Sequence, residues 1–335
     1  MEPFRFVVVG TGNIANTYFA AVDKLDGVEI VGAVSRDLAR AQAVAKERGL
    51  AAAATRLEDI DTPYDAIFVC GPNGTHGDMA IAAAKLGKHT LTEKTIDVSS
   101  AKADEMLAVC EEAGVQVAVC YQRRVSPDNH VIKKLLQEKA FGKIYAVDLA
   151  VRFYRPQSYY DSAPYRGTKA IDGGGPFVQQ ASHNLDILCW FFGLPTEVKS
   201  MLTMCGHTDI EVEDHGAAVL RYADGMLGTI VASTIAKPGF PGRLEIYTEK
   251  GSFSMINDAI TNWQIDGIEN PATPTDMVIH TGASVAVTDT HGHEGMIRDF
   301  VDSIRAGRRP IGHGSSTRLA TDLIEMIYDA SGFYG

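Results

Sequence analysis

The chain has 335 residues, of which 45% are hydrophobic and 22% are charged, and its formal net charge is −11. This length exceeds the usual size of a single hydrophobic core and predicts two domains. No stretch approaches the roughly 18 uninterrupted apolar residues of a membrane helix, and the acidic balance disfavours contact with nucleic-acid phosphates, so we expect a soluble protein that binds neither membranes nor nucleic acids.

The first 120 residues alternate short apolar runs with helical patterns. The predicted strands are 4–9, 28–34, 66–70, 89–92 and 116–120. Their nearly continuous apolar character is typical of parallel strands that helices cover on both faces. Residues 1–122 are therefore predicted to form a doubly wound α/β domain around a parallel sheet.

A glycine loop of the GxGxxA type lies between the first predicted strand and the first predicted helix, at residues 10–15. Gly10 permits a tight turn, Gly12 leaves space for a pyrophosphate, and the small Ala15 lets the helix pack on the strand. The helix N-terminus would face the phosphates. The predicted dinucleotide-binding residues of this loop are Gly10, Thr11, Gly12, Asn13 and Ile14.

The second predicted strand ends at Ser35-Arg36-Asp37, where an acidic residue at the strand tip would usually bind the ribose 2′-hydroxyl. Ser35 and Arg36 occupy that tip instead. A hydroxyl and a guanidinium can accept a 2′-phosphate, which predicts NADP in preference to NAD. The alternative is that Arg36 stacks on the adenine and tolerates both cofactors.

After Arg124 the pattern changes to longer alternating strands, which indicate an antiparallel sheet with one solvated face. These strands are predicted at 144–153, 212–221, 226–234 and 243–248. Helices are predicted at 176–192, directly after a glycine triplet, and at 294–306 and 315–331. Residues 123–335 are therefore predicted to form a second α/β domain with a large, mostly antiparallel open sheet.

Five cysteines show no CxxC pair and lie mostly inside apolar segments. This usage indicates reduced, buried thiols rather than a disulfide framework or a zinc site. The N-terminus runs directly into the first predicted strand, without a basic flank or an apolar signal core. We therefore expect a cytoplasmic location.

Several segments resemble the glucose-fructose oxidoreductase, inositol dehydrogenase and rhizopine-catabolism (Gfo/Idh/MocA) family over nearly the whole length of the chain. They are 71–76 (GPNGTH), 87–95 (GKHTLTEKT), 122–124 (QRR), the glycine triplet at 173–175 followed by His183 and Asp186, and 298–304 (RDFVDSI). The resemblance implies a Rossmann domain, then an α/β domain whose open sheet commonly forms the interface of a homodimer or homotetramer. It also implies that the substrate is held between the two domains.

The resemblance assigns roles to two residues. Lys94 occupies the family's EKP position, which implies a place near the nicotinamide ribose and the reacting hydroxyl, and His183 is implied as a proton-transfer partner. The chain departs from the family at Thr95, which replaces a proline, so the peptide bond after Lys94 need not be cis. It departs again at Gln179, where many members have an aspartate.

Removal of hydride from a secondary alcohol requires a base near the hydroxyl oxygen and a nicotinamide near the carbon. Lys94 and His183 are the candidate catalytic residues, and either could be the base, because a desolvated lysine and a histidine both exchange protons near neutrality. The predicted function is an NAD(P)-dependent dehydrogenase or reductase that acts on a CH–OH group of a sugar, polyol or glycoside.

In the predicted helix 176–192, Gln179, His183 and Asp186 are spaced at i, i+4 and i+7, so we expect all three on one face toward the substrate. An amide orients an imidazole without supplying charge. We therefore expect His183 to be less basic than in relatives with aspartate, or Asp186 to take over the orienting role.

Other candidate residues follow strand ends or lie on segments expected to face the cleft. Asn73, His76 and Glu93 are expected to contact the cofactor at the carboxyl edge of the sheet, although Asn73 could instead shape its turn and Thr75 could cap the next helix. The expected substrate-binding residues are Lys94, Arg123, Tyr154, Tyr165, Arg166, Gln179, His183 and Asp186, and Lys169 lies on a segment that is also expected to face the cleft. His291 and His293 lack the i, i+4 spacing of a helical zinc site, so we predict no metal.

Two other functions are compatible with the same sequence. One is a glycosidase that oxidises and then re-reduces one sugar carbon and so shows no net redox change. The other is a regulator that binds the cofactor on the same fold without catalysing a reaction.

Overall fold

The computed structural model describes residues 2–273 and 289–334. The strands are β1 Phe4–Val9, β2 Val28–Val34, β3 Ala52–Ala54, β4 Ala66–Val69, β5 His89–Thr92, β6 Val117–Val119, β7 Ile144–Arg152, β8 Glu197–Thr203, β9 His215–Arg221, β10 Leu227–Ser233, β11 Arg243–Thr248, β12 Gly251–Ile256 and β13 Ala259–Ile265. The helices are α1 Asn13–Val22, α2 Leu38–Arg48, α3 His76–Lys85, α4 Ser100–Glu112, α5 Pro127–Gln137, α6 Gln157–Asp161, α7 Pro176–Gln179, α8 Ser182–Phe192, α9 His291–Ala306 and α10 Gly314–Ser331.

The chain divides into two compact units. The first comprises Met1–Gln122 and Ala286–Arg318, and the second comprises Arg123–Val285 and Leu319–Gly335. The sequence had placed all of 123–335 in the second domain, whereas α9 belongs to the first unit. The physical reason is packing: α9 lies against α1, and the ring of its buried Phe300 is 6.2 Å from that of Phe6 in β1.

The first unit contains a six-stranded sheet in the order β3-β2-β1-β4-β5-β6. All of its neighbouring strands pair in parallel, and the central strand β1 is almost entirely buried. The predicted doubly wound parallel sheet is thus confirmed. In this order the chain reverses direction across the sheet between β1 and β4, which is the place where doubly wound folds bind ligands.

The second unit contains a seven-stranded sheet in the order β13-β12-β11-β7-β10-β9-β8. The pair β7 and β10 is parallel and the other pairs are antiparallel, which confirms the predicted mostly antiparallel sheet. One face carries the core, in which Leu185 and Leu188 of α8 cluster with Leu220 and Ile230 of the sheet. The other face presents exposed apolar side chains, among them Met201, Val219, Leu227 and Tyr247.

Two parts of the predicted secondary structure differ from the observed one. The helix predicted at 176–192 is broken into α7 and α8, because the Ala181 N–H bonds to the Pro176 carbonyl rather than to that of Phe177. Strands β3, β8, β12 and β13 were not predicted; β3, β8 and β13 lie at sheet edges, whereas β12 lies between β11 and β13. Edge strands lack the continuous apolar pattern on which the prediction relied. None of the described helices combines the length and the apolarity of a membrane-spanning segment.

The glycine triplet before α7 has a packing explanation. A Cβ at Gly175 would overlap the carbonyl oxygen of Glu213, and one at Gly174 would overlap the hydroxyl of Tyr328. Glu213 is fully buried; it accepts hydrogen bonds from the Gly175 N–H at 3.1 Å and from the hydroxyls of Tyr328 and Tyr334 at 3.0 and 2.8 Å. The triplet therefore lets the start of α7 approach this polar cluster closely.

Candidate active site

The glycine loop has the geometry that a pyrophosphate requires. Gly10 has a φ of +96°, and a Cβ there would lie 2.8 Å from the backbone carbon of Cys70, so only glycine fits. Gly12 is the N-cap of α1, where it has no side chain to bond the first-turn N–H groups. A Cβ at Gly12 would extend into open space among the described residues. The loop therefore leaves both room and amide donors for an anion.

The end of β2 presents basic groups. Asp37 caps α2, with its Oδ1 accepting hydrogen bonds from the N–H groups of Ala39 at 2.9 Å and Arg40 at 3.3 Å. Arg36 is exposed, and Ser35 is half-buried. Arg40, which the sequence had not singled out, donates to the Thr11 carbonyl of the glycine loop at 3.0 Å. The carboxylate of Asp37 is thus engaged by α2, and the guanidinium of Arg40 contacts the loop.

Lys94 lies at the same edge of the sheet as the glycine loop. The Glu93 N–H donates to Val69 in β4 and the Cys120 N–H donates to Thr92 in β5, at 2.9 and 2.8 Å, so the carboxyl ends of β4, β5 and β6 remain in register. Lys94 is half-buried, and its peptide bond to Thr95 is cis. Asn73 is buried in a 3-10 turn at the end of β4. The loop, Asn73 and Lys94 therefore share one edge.

His76 has a structural place rather than the expected contact with the cofactor. Its ring is fully buried, with Nδ1 2.6 Å from the Thr95 carbonyl oxygen and Nε2 3.1 Å from the Gly71 carbonyl oxygen. Burial lowers the pKa of His76, and a neutral ring donates to only one of these carbonyls. His76 thus links the turn after β4 to the segment that carries Lys94.

Glu93 is likewise engaged by other protein groups. Its Oε1 accepts a hydrogen bond from the Tyr18 hydroxyl at 2.9 Å and lies 3.4 Å from Nε2 of His293, and its Oε2 lies 3.3 Å from the Lys94 N–H. Burial raises the pKa of Glu93, but the contacts with His293 and Tyr18 outweigh it and leave the pKa lowered. The carboxylate therefore anchors the backbone at Lys94 from inside the unit.

In the second unit, the helix break separates two residues that the sequence had placed on one helix. Gln179 ends α7 and His183 lies in the first turn of α8, where it is half-buried. The Gln179 amide donates to the Asp172 carbonyl at 2.6 Å and to Asp172 Oδ1 at 2.9 Å. Asp172 Oδ2 accepts from the Gly167 N–H at 2.9 Å. Sequence reasoning missed Asp172, which precedes the glycine triplet and carries no motif.

Asp186 does not have the expected ligand-binding place. Its two carboxylate oxygens accept hydrogen bonds from the Arg124 guanidinium, at 2.8 Å from Nε and 2.7 Å from Nη2. Both side chains are completely buried, and the guanidinium carbon lies 5.6 Å from the centre of the Trp190 ring. Asp186 therefore fixes α8 in the core of the second unit and does not line a pocket for substrate.

The predicted cationic and tyrosine residues separate into two groups. Arg166 stacks over Tyr159 at 4.1 Å, and Arg155 lies over the same ring at 5.4 Å. Tyr154 and Tyr165 are half-buried on the same segments. Arg123, in contrast, is mostly buried and lies 3.5 Å from the carboxylate of Asp258. The guanidinium groups of Arg155 and Arg166 thus lie close to one aromatic ring, whereas Arg123 is paired with Asp258; the sequence had not identified Arg155 or Tyr159.

Lys169 is also held by other protein groups rather than presented to a ligand. Its Nζ lies 4.0 Å from the ring centres of both Tyr328 and Tyr334 and donates to the Gly173 carbonyl at 3.1 Å. Burial lowers the pKa of Lys169. The expectation that it faces a cleft is not supported, because the C-terminal tyrosines cover its ammonium group.

Comparisons with known families match both units. Residues 4–121 match the oxidoreductase family with an NAD-binding Rossmann fold, and residues 130–254 match the GFO/IDH/MocA C-terminal domain. The first match agrees with the geometry of the glycine loop, and the second begins shortly after the boundary between the units. The predicted family resemblance is therefore confirmed.

Three similar proteins, all named as dehydrogenases, illustrate the range of substrates in their names. The WlbA dehydrogenase of Bordetella pertussis, solved with NADH and UDP-GlcNAcA, is 28% identical, covers 99% of this chain and 97% of its own, and has a TM-score of 0.86. Inositol 2-dehydrogenase of Rhizobium meliloti is 24% identical, with 94% of each chain covered. D-xylose 1-dehydrogenase (NADP(+)) 2 of Haloferax volcanii is 29% identical, covering 68% of this chain and 69% of its own.

The buried ion pair predicts a large loss of stability on Asp186→Asn. The substitution leaves the Arg124 guanidinium buried without its charge partner, which lowers the free energy of unfolding by about 3–5 kcal/mol. The two tryptophans of the chain, Trp190 and Trp263, both lie in the second unit, so their fluorescence during urea unfolding reports on that unit.

Glu138→Gln is the matched control, because Glu138 forms an exposed pair with Lys134 in the same unit and such pairs contribute little. An Asp186→Asn unfolding curve that superimposes on that of Glu138→Gln would contradict the structural role of the pair.

Proposed function

The chain belongs to the GFO/IDH/MocA family of NAD-binding oxidoreductases, and from this we propose that it transfers hydride between NADP and a secondary alcohol carbon of a sugar, polyol or glycoside. The observation that carries the proposal is the placement of Lys94 at the same sheet edge as a glycine loop that fits a pyrophosphate. A cofactor bound over this loop supplies or accepts the hydride.

The proton of the reacting hydroxyl is assigned to Lys94 and His183. Lys94 is half-buried, which suits an amine that exchanges a proton with substrate in a site of restricted water. Glu93 contacts the Lys94 N–H and His76 contacts the Thr95 carbonyl. The backbone that carries the Lys94 side chain is therefore held in place. His183 supplies an imidazole from the first turn of α8, a helix fixed by the Arg124 and Asp186 pair.

The preference for NADP is supported by the groups at the end of β2. Ser35 and Arg36 stand where an acidic residue would bind a ribose hydroxyl, and the carboxylate of Asp37 is engaged by α2. A 2′-phosphate would receive charge-assisted hydrogen bonds from Arg36, with Arg40 adding positive charge nearby. Similar proteins are named with either cofactor, NADP for the xylose enzyme and NADH for WlbA.

The substrate is proposed to carry an anionic group. The guanidinium carbons of Arg155 and Arg166 lie 5.4 and 4.1 Å from the centre of the Tyr159 ring, and guanidinium groups bind carboxylates and phosphates with two parallel hydrogen bonds. WlbA, one of the more similar solved structures, was determined with the acidic sugar nucleotide UDP-GlcNAcA. A screen for activity should therefore compare uronates and nucleotide-linked sugars with neutral polyols and aldoses.

Self-association through the outer face of the second sheet is proposed as well. Met201, Val219, Leu227 and Tyr247 are 83%, 51%, 47% and 40% exposed, and the strands that carry the first three, β8, β9 and β10, are consecutive neighbours. An apolar face of this kind is stabilised by burial against a second copy. We therefore propose a homodimer or homotetramer that uses this face.

The role of Lys94 predicts the effect of Lys94→Met. Loss of the amine should lower kcat by about 100-fold or more, in line with acid–base contributions, while NADP binding stays within a few-fold of wild type. Reduced nicotinamide absorbance measures turnover, and fluorescence titration measures cofactor binding. Lys85→Met is the control, because Lys85 is exposed on α3. Unchanged turnover in Lys94→Met would remove Lys94 from the mechanism.

The same assay separates the other two functions. If the protein cleaves glycosides, keeps its cofactor tightly bound and releases no reduced nicotinamide, it is a redox-neutral glycosidase and not a dehydrogenase or reductase. Cofactor binding with no turnover across the whole screen would support a regulator.

The basic strand end predicts cofactor selectivity. Wild type should show a higher kcat/KM with NADP than with NAD, and Arg36→Ser should lower kcat/KM for NADP by roughly 10–100-fold, because one charge-assisted contact contributes about 1.5–3 kcal/mol. Values for NAD should change little. Arg56→Ser, at an exposed arginine of the same unit, is the control. A wild-type preference for NAD above tenfold would refute the assignment.

The exposed sheet face predicts that Val219→Glu dissociates the assembly. Val219 lies on β9, between β8 and β10. A carboxylate at this position would be buried without a partner in an interface on this face, which disfavours association. Sedimentation velocity should show the wild type as a dimer or tetramer and the variant as a monomer. Leu38→Glu, at an exposed position in the first unit, should leave the assembly intact. A monomeric wild type would disprove the proposal.

A further inference from the structure

Three metal-ligating side chains converge inside the first unit from separate segments of the chain. Glu93 follows β5, Cys120 follows β6, and His293 lies in the first turn of α9. Their exposed fractions are 9%, 0% and 3%. One ligand atom from each residue lies within 4.8 Å of the other two. A carboxylate, a thiol and an imidazole are therefore brought together in a region from which water is largely excluded.

The spacing of these atoms is compatible with a tetrahedral cation. Zinc binds histidine nitrogen and carboxylate oxygen at about 2.0–2.2 Å, and two such ligands at a tetrahedral angle are about 3.4 Å apart. In the structure, Nε2 of His293 lies 3.4 Å from Oε1 of Glu93. The Tyr18 hydroxyl, 2.9 Å from the same oxygen, lies beside the cluster.

The chemistry of the three donors also favours a transition-metal cation. Zinc binds thiolate sulfur, imidazole nitrogen and carboxylate oxygen. On binding, a divalent ion would displace the proton of the Cys120 thiol and place positive charge beside the buried Glu93.

We propose that Glu93, Cys120 and His293 bind a zinc ion, with the fourth coordination position adjacent to Tyr18. The mixed set of oxygen, sulfur and nitrogen ligands suits zinc rather than magnesium or calcium, which prefer oxygen ligands alone. The ion would fasten the first turn of α9 to the ends of β5 and β6, one residue from Lys94. This inference does not depend on the proposed hydride transfer.

The proposed site differs from the zinc site that the sequence analysis rejected. That site would have used His291 and His293 together. In the structure, His291 is exposed and its Nδ1 contacts Asp289 at 2.6 Å, whereas His293 is buried in the cluster. Only one of the two histidines is therefore a ligand, and its partners come from positions 93 and 120, about 170–200 residues earlier in the chain.

The experiment uses the whole 335-residue chain. Elemental analysis of protein purified without added chelator should find about one zinc per chain. Protein that has been stripped with a chelator and titrated with Co²⁺ should bind one equivalent and develop thiolate-to-cobalt charge-transfer absorption together with the visible bands of tetrahedral cobalt. Zinc should then displace the cobalt and abolish both signals.

Matched variants distinguish this site from adventitious binding. Cys120→Ser should abolish the charge-transfer absorption, and His293→Gln should weaken cobalt binding at least tenfold. Cys110→Ser, at another buried cysteine of the same unit, and His291→Gln should leave both unchanged. The wild-type titration is informative even if a cluster variant fails to fold.

Two results would overturn the proposal. One is a wild-type protein that contains no zinc and shows no thiolate-to-cobalt absorption. The other is a charge-transfer band that persists in Cys120→Ser, which would place the metal at another thiol.

Discussion

The close approach of the β1–α1 turn to the end of β4 is the constraint on which the first unit depends. Gly10 adopts a positive φ and lies so near the Cys70 backbone that a side chain would collide with it. This contact lets β1 and β4 pair while the chain turns directly into α1. The helix N-terminus and the carboxyl ends of the central strands consequently open on the same edge, where an anionic cofactor gains both amide donors and a favourable dipole.

Register along that edge then gives neighbouring residues different roles. Backbone hydrogen bonds hold the residues after β5 and β6 beside their neighbouring strands. Glu93 is buried among Tyr18 and His293, whereas the next residue, Lys94, is half-buried. A polar interior thus fixes the backbone from which the amine extends. Buried charges of this kind are stable only when paired, and α9 places the His293 imidazole 3.4 Å from the Glu93 carboxylate.

The sequence predicted those parts of the molecule that depend on local patterns. The glycine loop, the apolar strands β1, β2 and β5, and the change to alternating strands after Arg124 follow from periodicity and turn chemistry, and the structure has them. The partners of Asp186 and Lys169 and the convergence of His293 on Glu93 depend on tertiary contacts between distant segments. Helical spacing could not place Gln179 and His183, because the helix is interrupted between them.

The second unit shows how a residue can serve a site without touching it. Asp186 was expected to orient His183 directly, yet both of its oxygens are bonded to Arg124. Because the two residues lie one turn apart on α8, the buried pair fixes the helix and hence the backbone of His183. Gln179, anchored to Asp172 at the end of α7, fixes the preceding turn in the same way. Gln179 stands where many members of the family have an aspartate. A carboxylate is nevertheless present nearby, because Asp172 accepts a hydrogen bond from the Gln179 amide at 2.9 Å.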